Sequence, residues 1–496
     1  MDKKYYLAID VGASSGRAIL GSFDGYKIGL KEVHRFGNGP IEAAGSLYWD
    51  ILNIYRECCA GLALAKKKCP KIESVALDTW GLDFGLIGKN GRLSSNPLSY
   101  RDPGKYIDNR GRFYEMVPRE RLFGITGINP IYTMVPLFYL YGMRLGRQSE
   151  LGYAAKFLMM PDLLNYFFTG SFCSEFTIAN NTMLLDWKTK TWDSYLLGKL
   201  GLKKSLFPDI VMSGKKIGNL ARKVCTQLEV DSLPVIAAAS HDTTSAVAGL
   251  PVFKKRWAFI SAGTWCVIGI QTEDPLLDTR LLPTAITNEG AAEGKNLIAK
   301  NLTGFWILEK CRQRWAMDYG NLLGWGKLAE MAKEAGPFNA FIDIDDQIFS
   351  QNHDNMPGLI RDYCARTKQK KPEDIAEVTR CIYESMVLRF KFDLDLIAEL
   401  GGTEVDLIHL IGGGAKNPLV CQWTSNLTGI PVAAGPVETT SMGNLLMQLK
   451  ASGEIKSIEE GREISFNSSN ILIYEPRDRN RWKEAFDDYV QIVKNN

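Results

Sequence analysis

At 496 residues the chain is too long for a single hydrophobic core, and two or three domains are expected. An apolar content of 45% with 23% charge is that of a soluble globular protein, and a net charge of +3 does not point to nucleic acid or an anionic membrane as partner. The opening residues reach Asp10 too soon for a secretory signal, and no run of about 18 apolar residues occurs, so a cytoplasmic location without membrane contact is expected. Ten cysteines lacking any C-x-x-C, with four scattered histidines, are expected to be reduced, packed thiols and not a zinc site.

Tyr6 to Gly12 reads as a strand that runs into a bend, Ala13-Ser14-Ser15-Gly16-Arg17, from which Ala18 to Gly21 returns as a second strand. The bend offers backbone N–H groups, hydroxyls and a guanidinium, which are phosphate donors. Asp10, at the strand end, suits a hydrated Mg²⁺, which takes only one or two carboxylates. An ordinary Ser- and Gly-rich turn is the competing reading, and the chain holds no P-loop. From about Asp50, a capping residue, a helix places Ile51, Tyr55, Cys58 or Cys59 and Leu62 on one face and ends in Lys66-Lys67-Lys68. The strand Ser74 to Asp78 then meets Thr79-Trp80-Gly81-Leu82-Asp83-Phe84-Gly85. Trp80 and Asp83 either offer a polyol an aromatic wall and a carboxylate, or are a core tryptophan and a turn aspartate. Residues 105 to 230 are mostly helical in pattern, with loops expected at Gly127 to Pro130, Met160 to Asp162 and Phe207 to Ile210.

Leu233 to Ala239 is an apolar run of strand length, followed by Ser240-His241-Asp242-Thr243-Thr244 and then by the small residues Ser245 to Gly249. A carboxylate between a strand's end and a helix's start stands where open α/β sheets bind ligands. A Ser/Asp/Thr helix cap is the alternative. Breakers and charge from Gly249 to Arg256 mark a domain boundary. The second half repeats the opening: Trp257 to Ile270 is again strand, bend and strand, with Gly263-Thr264 supplying an N–H and a hydroxyl. Ile375, Val378, Ile382, Met386, Phe390, Leu394 and Ile397 recur at helical spacing, begun by Pro372-Glu373-Asp374 and stopped by Gly401-Gly402. Leu407 to Ile411 is a strand, and Gly412-Gly413-Gly414 after it lets backbone approach a ligand closely. A further helix is expected after Gly435 to Asn444, and the polar tail beyond 455 is expected to pack back onto the surface.

Two phosphate-type hairpins, one opening each half, imply a duplicated pair of domains, residues 1–247 and 248–496, facing a cleft. Phosphoryl transfer needs a metal, donors around the phosphates and a base aligned with the attacking oxygen. Asp10, Ser14 to Arg17 with Thr264, and Asp242 fill those roles. Taken together, Asp10 to Arg17, Asp78 to Phe84, Ser240 to Thr243, Ser261 to Trp265, Ile286 to Gly290, Asn301 to Trp306, Gly412 to Gly414 and Gly435 to Glu438 resemble the FGGY carbohydrate kinases, in order, over residues 5 to 450. Within that family the motifs are most similar to the branch acting on L-rhamnulose.

The resemblance implies an α/β fold of two ribonuclease-H-like domains, the actin-like ATPase fold, with sugar and base on the first and nucleotide on the second. It implies transfer of the ATP γ-phosphate to the 1-hydroxyl of L-rhamnulose with Mg²⁺. Carried over by position, Asp242 is the base and Asp10 the metal residue. Ala13, Ser14, Ser15, Gly16, Arg17 and Thr264 hold phosphates, and Gly413 lies at the nucleotide. Gly81, His241, Asp242, Thr243 and Asn301 line the sugar site. Glu309 stands where relatives often carry Gln, and a carboxylate is unwelcome near a nucleotide unless it faces ribose hydroxyls. The alternatives are another ketose kinase of the family, one acting on L-fuculose in particular, and a non-catalytic actin-like ATPase.

Overall fold

A computed structural model describes residues 3–105 and 110–494; the outermost ends of the two expected halves, Met1-Asp2 and Asn495-Asn496, lie outside the described residues. The chain forms two compact units. The first runs to Phe253 and adds Thr272–Leu297 and Thr439–Ser468; the second comprises Lys254–Gln271, Ile298–Glu438 and the chain from Ser469.

The first unit is built on a six-stranded sheet in the order Lys216–Asn219, Pro234–His241, Ser74–Thr79, Lys4–Val11, Ser15–Phe23, Ile28–Gly37. The last three zigzag antiparallel, while Ser74–Thr79 and Pro234–His241 add in parallel to Lys4–Val11. Six of the seven strands of the second sheet run, in order, Leu472–Tyr474, Val432–Ala434, Leu407–Ile411, Trp257–Ala262, Trp265–Thr272, Asn296–Thr303. Its hairpin is again antiparallel and its next two strands parallel. An antiparallel hairpin with two strands added in parallel beside it, laid down twice, is the duplication that the two hairpins announced.

A parallel addition needs a crossover, and in both units a helix provides it. In the first, Ile51–Lys68 is started by the Asp50 carboxylate, which accepts from the Asn53 N–H at 3.1 Å, and ends in three lysines that favour a helix C-terminus. In the second, Ile375–Leu400 is started by Asp374, which accepts from the Glu377 N–H at 2.8 Å. That helix is buried on most sides, so it carries its own charge compensation: Arg380 pairs with Glu384 at 2.6 Å and Arg389 with Asp393 at 2.7 Å.

Three expectations need correcting. Residues 105 to 230, expected to be mostly helical, also carry strands: Ala154–Met159 pairs antiparallel with Phe84–Gly88 above a separate core that includes Phe113, Phe157 and Trp192. Met160 to Asp162 is not a loop but the first turn of helix Met160–Thr169; Pro161 fits there, where its missing N–H would have no partner in the helix. The late helix begins at Thr439, inside the stretch expected to precede it, and runs to Ala451.

This last helix packs on Asp242–Ala248 with backbone against backbone. A Cβ on Gly443 would lie 1.9 Å from the Ser245 carbonyl oxygen, and one on Gly249 would lie 2.2 Å from the Thr439 carbonyl oxygen. The small residues from Ser245 to Gly249 are therefore what allows the contact. The polar tail forms helices Ile458–Asn467 and Arg479–Lys494, the second of which buries Trp482, Ala485 and Tyr489. All ten cysteines are free and nine are buried. Among the described residues no helix is long and apolar enough to cross a membrane.

Candidate functional site

In the first unit the parallel register sets Asp10 beside Asp78, at the carboxyl ends of their strands. Both side chains are buried. Arg17 Nε donates to Asp10 Oδ2 at 3.1 Å. Asn444, from helix Thr439–Ala451, donates to Asp78 Oδ2 at 2.6 Å. Asp78 Oδ1 is buried with no hydrogen-bond partner among the described residues. Burial, with repulsion from Asp10 and Asp242, pushes the Asp78 carboxyl well above the ordinary carboxylate range. An excess of carboxylate with an orphan oxygen fits a hard cation held by one or two carboxylates and otherwise by water. Asp78 was read as a strand residue opening the Asp78 to Phe84 motif and was given no role; its meeting with Asp10 is a matter of register.

The bend from Ala13 to Arg17 is held by a backbone bond and by the side chain of Asn38. The Gly12 N–H donates to the Ser15 carbonyl at 2.9 Å, and the Asn38 amide donates to the Gly12 carbonyl at 2.8 Å. Ser14 and Ser15 are exposed and Arg17 half-buried. Gly16 is buried against the Phe36 ring, where a Cβ would come within 2.1 Å, so it serves packing as well as the turn.

His241, Asp242 and Thr243 cross from strand Pro234–His241 into helix Asp242–Ala248. Asp242 is not the cap: His241 occupies that position and makes no side-chain cap bond. Asp242 Oδ1 instead accepts from the Thr243 N–H at 2.7 Å and lies 3.5 Å from His241 Nε2. Enclosure by protein pushes the Asp242 carboxyl up to about 6, and burial lowers the His241 imidazole from its ordinary value, so that ring is neutral. Gly81 completes this corner, since a Cβ there would stand 3.4 Å from His241 Nε2 and 3.1 Å from Asn181 Nδ2. Behind it, buried Glu175 caps helix Phe176–Asn180 and accepts from the Ser240 N–H at 3.1 Å and the Thr177 hydroxyl at 2.6 Å. The Thr177 hydroxyl in turn accepts from the His241 N–H at 3.2 Å. One buried carboxylate thus fixes the backbone on which Asp242 stands.

Trp80 and Asp83 are structural. Asp83 is fully buried, with Oδ2 accepting from Trp49 Nε1 at 2.6 Å and Trp80 Nε1 at 2.9 Å, and Oδ1 paired to the buried Lys105. The competing reading, a core tryptophan with a turn aspartate, is the correct one.

In the second unit Thr264, Glu309 and Gly413 line one pocket of about 1050 Å³, together with Phe305, Trp325 and Tyr383. Of the three glycines, Gly412 has φ +75° and presses on Ala262, Gly414 also packs on Ala262, and Gly413 alone of them lines the pocket. Glu309, on helix Trp306–Tyr319, is ion-paired to Arg312 and accepts from Gln313 Nε2 at 3.1 Å. Its charge is therefore already balanced, which removes the objection to a carboxylate here. Asn301 lies half-buried on strand Asn296–Thr303.

Residues 5–249 match the FGGY family of carbohydrate kinases, N-terminal domain, and residues 258–452 match its C-terminal domain. A protein from Bacteroides thetaiotaomicron named rhamnulokinase is 37% identical over 99% of this chain and 100% of its own length. One of the same name from Lactiplantibacillus plantarum is 35% identical over 99% of each. Among solved structures, a ligand-bound xylulose kinase from Lactobacillus acidophilus superposes with a TM-score of 0.82 at 18% identity, over 99% of this chain and 98% of that one. A gluconate kinase from the same organism gives 0.81 at 18% identity, over 100% and 98%. The fold is the duplicated actin-like ATPase fold, and the chain belongs to the FGGY family of carbohydrate kinases, which phosphorylate sugars at the expense of ATP.

Proposed function

We propose that this chain transfers the γ-phosphate of ATP to the 1-hydroxyl of L-rhamnulose, giving L-rhamnulose 1-phosphate and ADP in the cytoplasm, as part of rhamnose breakdown. The observation that carries the reading is likeness over the whole chain to proteins named rhamnulokinase, at 37% and 35% identity.

In this reading Asp242 takes the proton of the attacking hydroxyl at a carboxylate oxygen. A base must be ionised yet basic enough to accept a proton near neutrality, and a carboxyl at about 6 meets both demands. Gly81, His241, Thr243 and Asn301 hold the sugar. Ala13, Ser14, Ser15, Gly16, Arg17 and Thr264 hold the phosphates, with Gly413 and Glu309 at the nucleotide. Asp10, joined by Asp78, would hold Mg²⁺, which when bound would neutralise charge on the phosphates. The halves 1–247 and 248–496 divide the work, with the base and all the sugar residues but Asn301 on the first and the nucleotide on the second.

The test is a panel of ketoses with direct detection of the sugar phosphate, run on the wild type and on Asp242→Asn. L-Rhamnulose should give the highest kcat/KM. The variant should fold normally and lose about 10²–10⁴-fold in turnover. A clear preference for L-fuculose or xylulose would assign the chain to a neighbouring branch, and an active Asp242→Asn would remove Asp242 as base.

A further inference from the structure

Polar atoms buried without partners are rare in folded proteins, and each one asks for an explanation. Among the described residues those near His241 include Asn181 Nδ2, His241 Nδ1 and Glu289 Oε2. They belong to one corner. Asn181 Nδ2 and His241 Nε2 flank the missing side chain of Gly81, and His241 Nδ1 lies 3.9 Å from Glu289 Oε2, too far for a hydrogen bond.

The scaffold holds these atoms in place. The Gly290 N–H donates to Asn180 Oδ1 at 2.8 Å, tying the end of helix Phe176–Asn180 to strand Ile286–Gly290. The Phe176 ring lies against Gly290, where a Cβ would come within 2.9 Å. Asn181 and Glu289 each sit one residue from this joint, and Glu175 caps the same helix. Neither side chain is spent on the joint itself.

Chemically the corner presents an amide donor, a carboxylate acceptor and a neutral imidazole nitrogen, each needing a partner. A sugar hydroxyl both donates and accepts, so adjacent hydroxyls on a chain of carbons would satisfy all three. An oxygen about 2.8 Å from both Glu289 Oε2 and His241 Nδ1 would bridge their 3.9 Å gap. We propose that Glu289 and Asn181 bind hydroxyls of the ketose beside His241 and read their configuration, Glu289 by accepting a hydrogen bond and Asn181 by donating one. The inference rests on the reading of the substrate as a ketose, but not on which ketose it is.

The test uses the full-length protein and whichever ketose the wild type turns over best. If that ketose is not L-rhamnulose, the proposed substrate fails while the present inference is still examined. Glu289→Gln keeps the shape and removes the charged acceptor; Asn181→Ala removes the donor. Each should lower kcat/KM for the ketose about 10–100-fold, since a buried hydrogen-bonding group is left unpaired, while the ATP KM changes by less than about twofold.

Deoxy ketoses supply a measurement that does not depend on how well a variant folds. For wild type, removing the hydroxyl that Glu289 binds should cost a similar factor, and for that one analogue Glu289→Gln should cause little further loss. Losses that multiply for every deoxy analogue, ketose kcat/KM within twofold of wild type in both variants, or an equal rise in the ATP KM would each overturn the proposal.

Discussion

Lowering the pH from 7 to 5 should cost this enzyme about tenfold in kcat/KM for its sugar. Burial disfavours the charged carboxylate and raises the Asp242 carboxyl to about 6, so the base is lost by protonation as pH falls through that value. With a midpoint near 6, about nine-tenths of the molecules carry ionised Asp242 at pH 7 and about one-tenth at pH 5. A carboxyl at its ordinary 3.8 would lose only about 6% over the same range, so the two cases are easily told apart. The assay is chromatographic detection of the sugar phosphate between pH 5 and 8, which keeps coupling enzymes out of the titration. Glu175, pushed to about 7 by burial, is a carboxyl close behind Asp242 that also titrates in this window. Glu175→Gln removes it and should leave a limb near 6. A profile flat down to pH 5, or a limb lost in Glu175→Gln, would refute the assignment.

Gly443→Ala should destabilise the protein by about 1–3 kcal/mol or more, because the new methyl would lie 1.9 Å from the Ser245 carbonyl oxygen and force two helices apart. Denaturant unfolding measures this, and an unchanged midpoint would refute the close contact. Asp83→Asn should cost about 3–5 kcal/mol, since buried Lys105 loses its carboxylate partner. The folded fraction should keep the wild-type sugar KM; a raised KM at unchanged stability would return Asp83 to the sugar site.

Local chemistry is what the sequence could determine. The strand Leu407–Ile411, the helix from Asp50 and the long helix from Asp374 follow from apolar periodicity and from caps that act within three residues. The two hairpins announced the duplication because their bends repeat the same residue types. The meeting of Asp10 with Asp78 depends on strand register, which no local pattern specifies. Asp83 shows the same limit: as a turn residue it is compatible with ligand or core, and only the convergence of Trp49, Trp80 and Lys105 decides for the core. The Glu309–Arg312 pair removes a charge that the sequence left exposed on paper, although its three-residue spacing on a helix was there to be read. Asn181 and Glu289 lie more than a hundred residues apart in the chain; Glu289 entered only within the Ile286 to Gly290 motif, and neither was given a role. Tertiary structure alone brings their unpartnered atoms to the corner beside His241, because burial and hydrogen-bond satisfaction are properties of the packed chain and not of any segment.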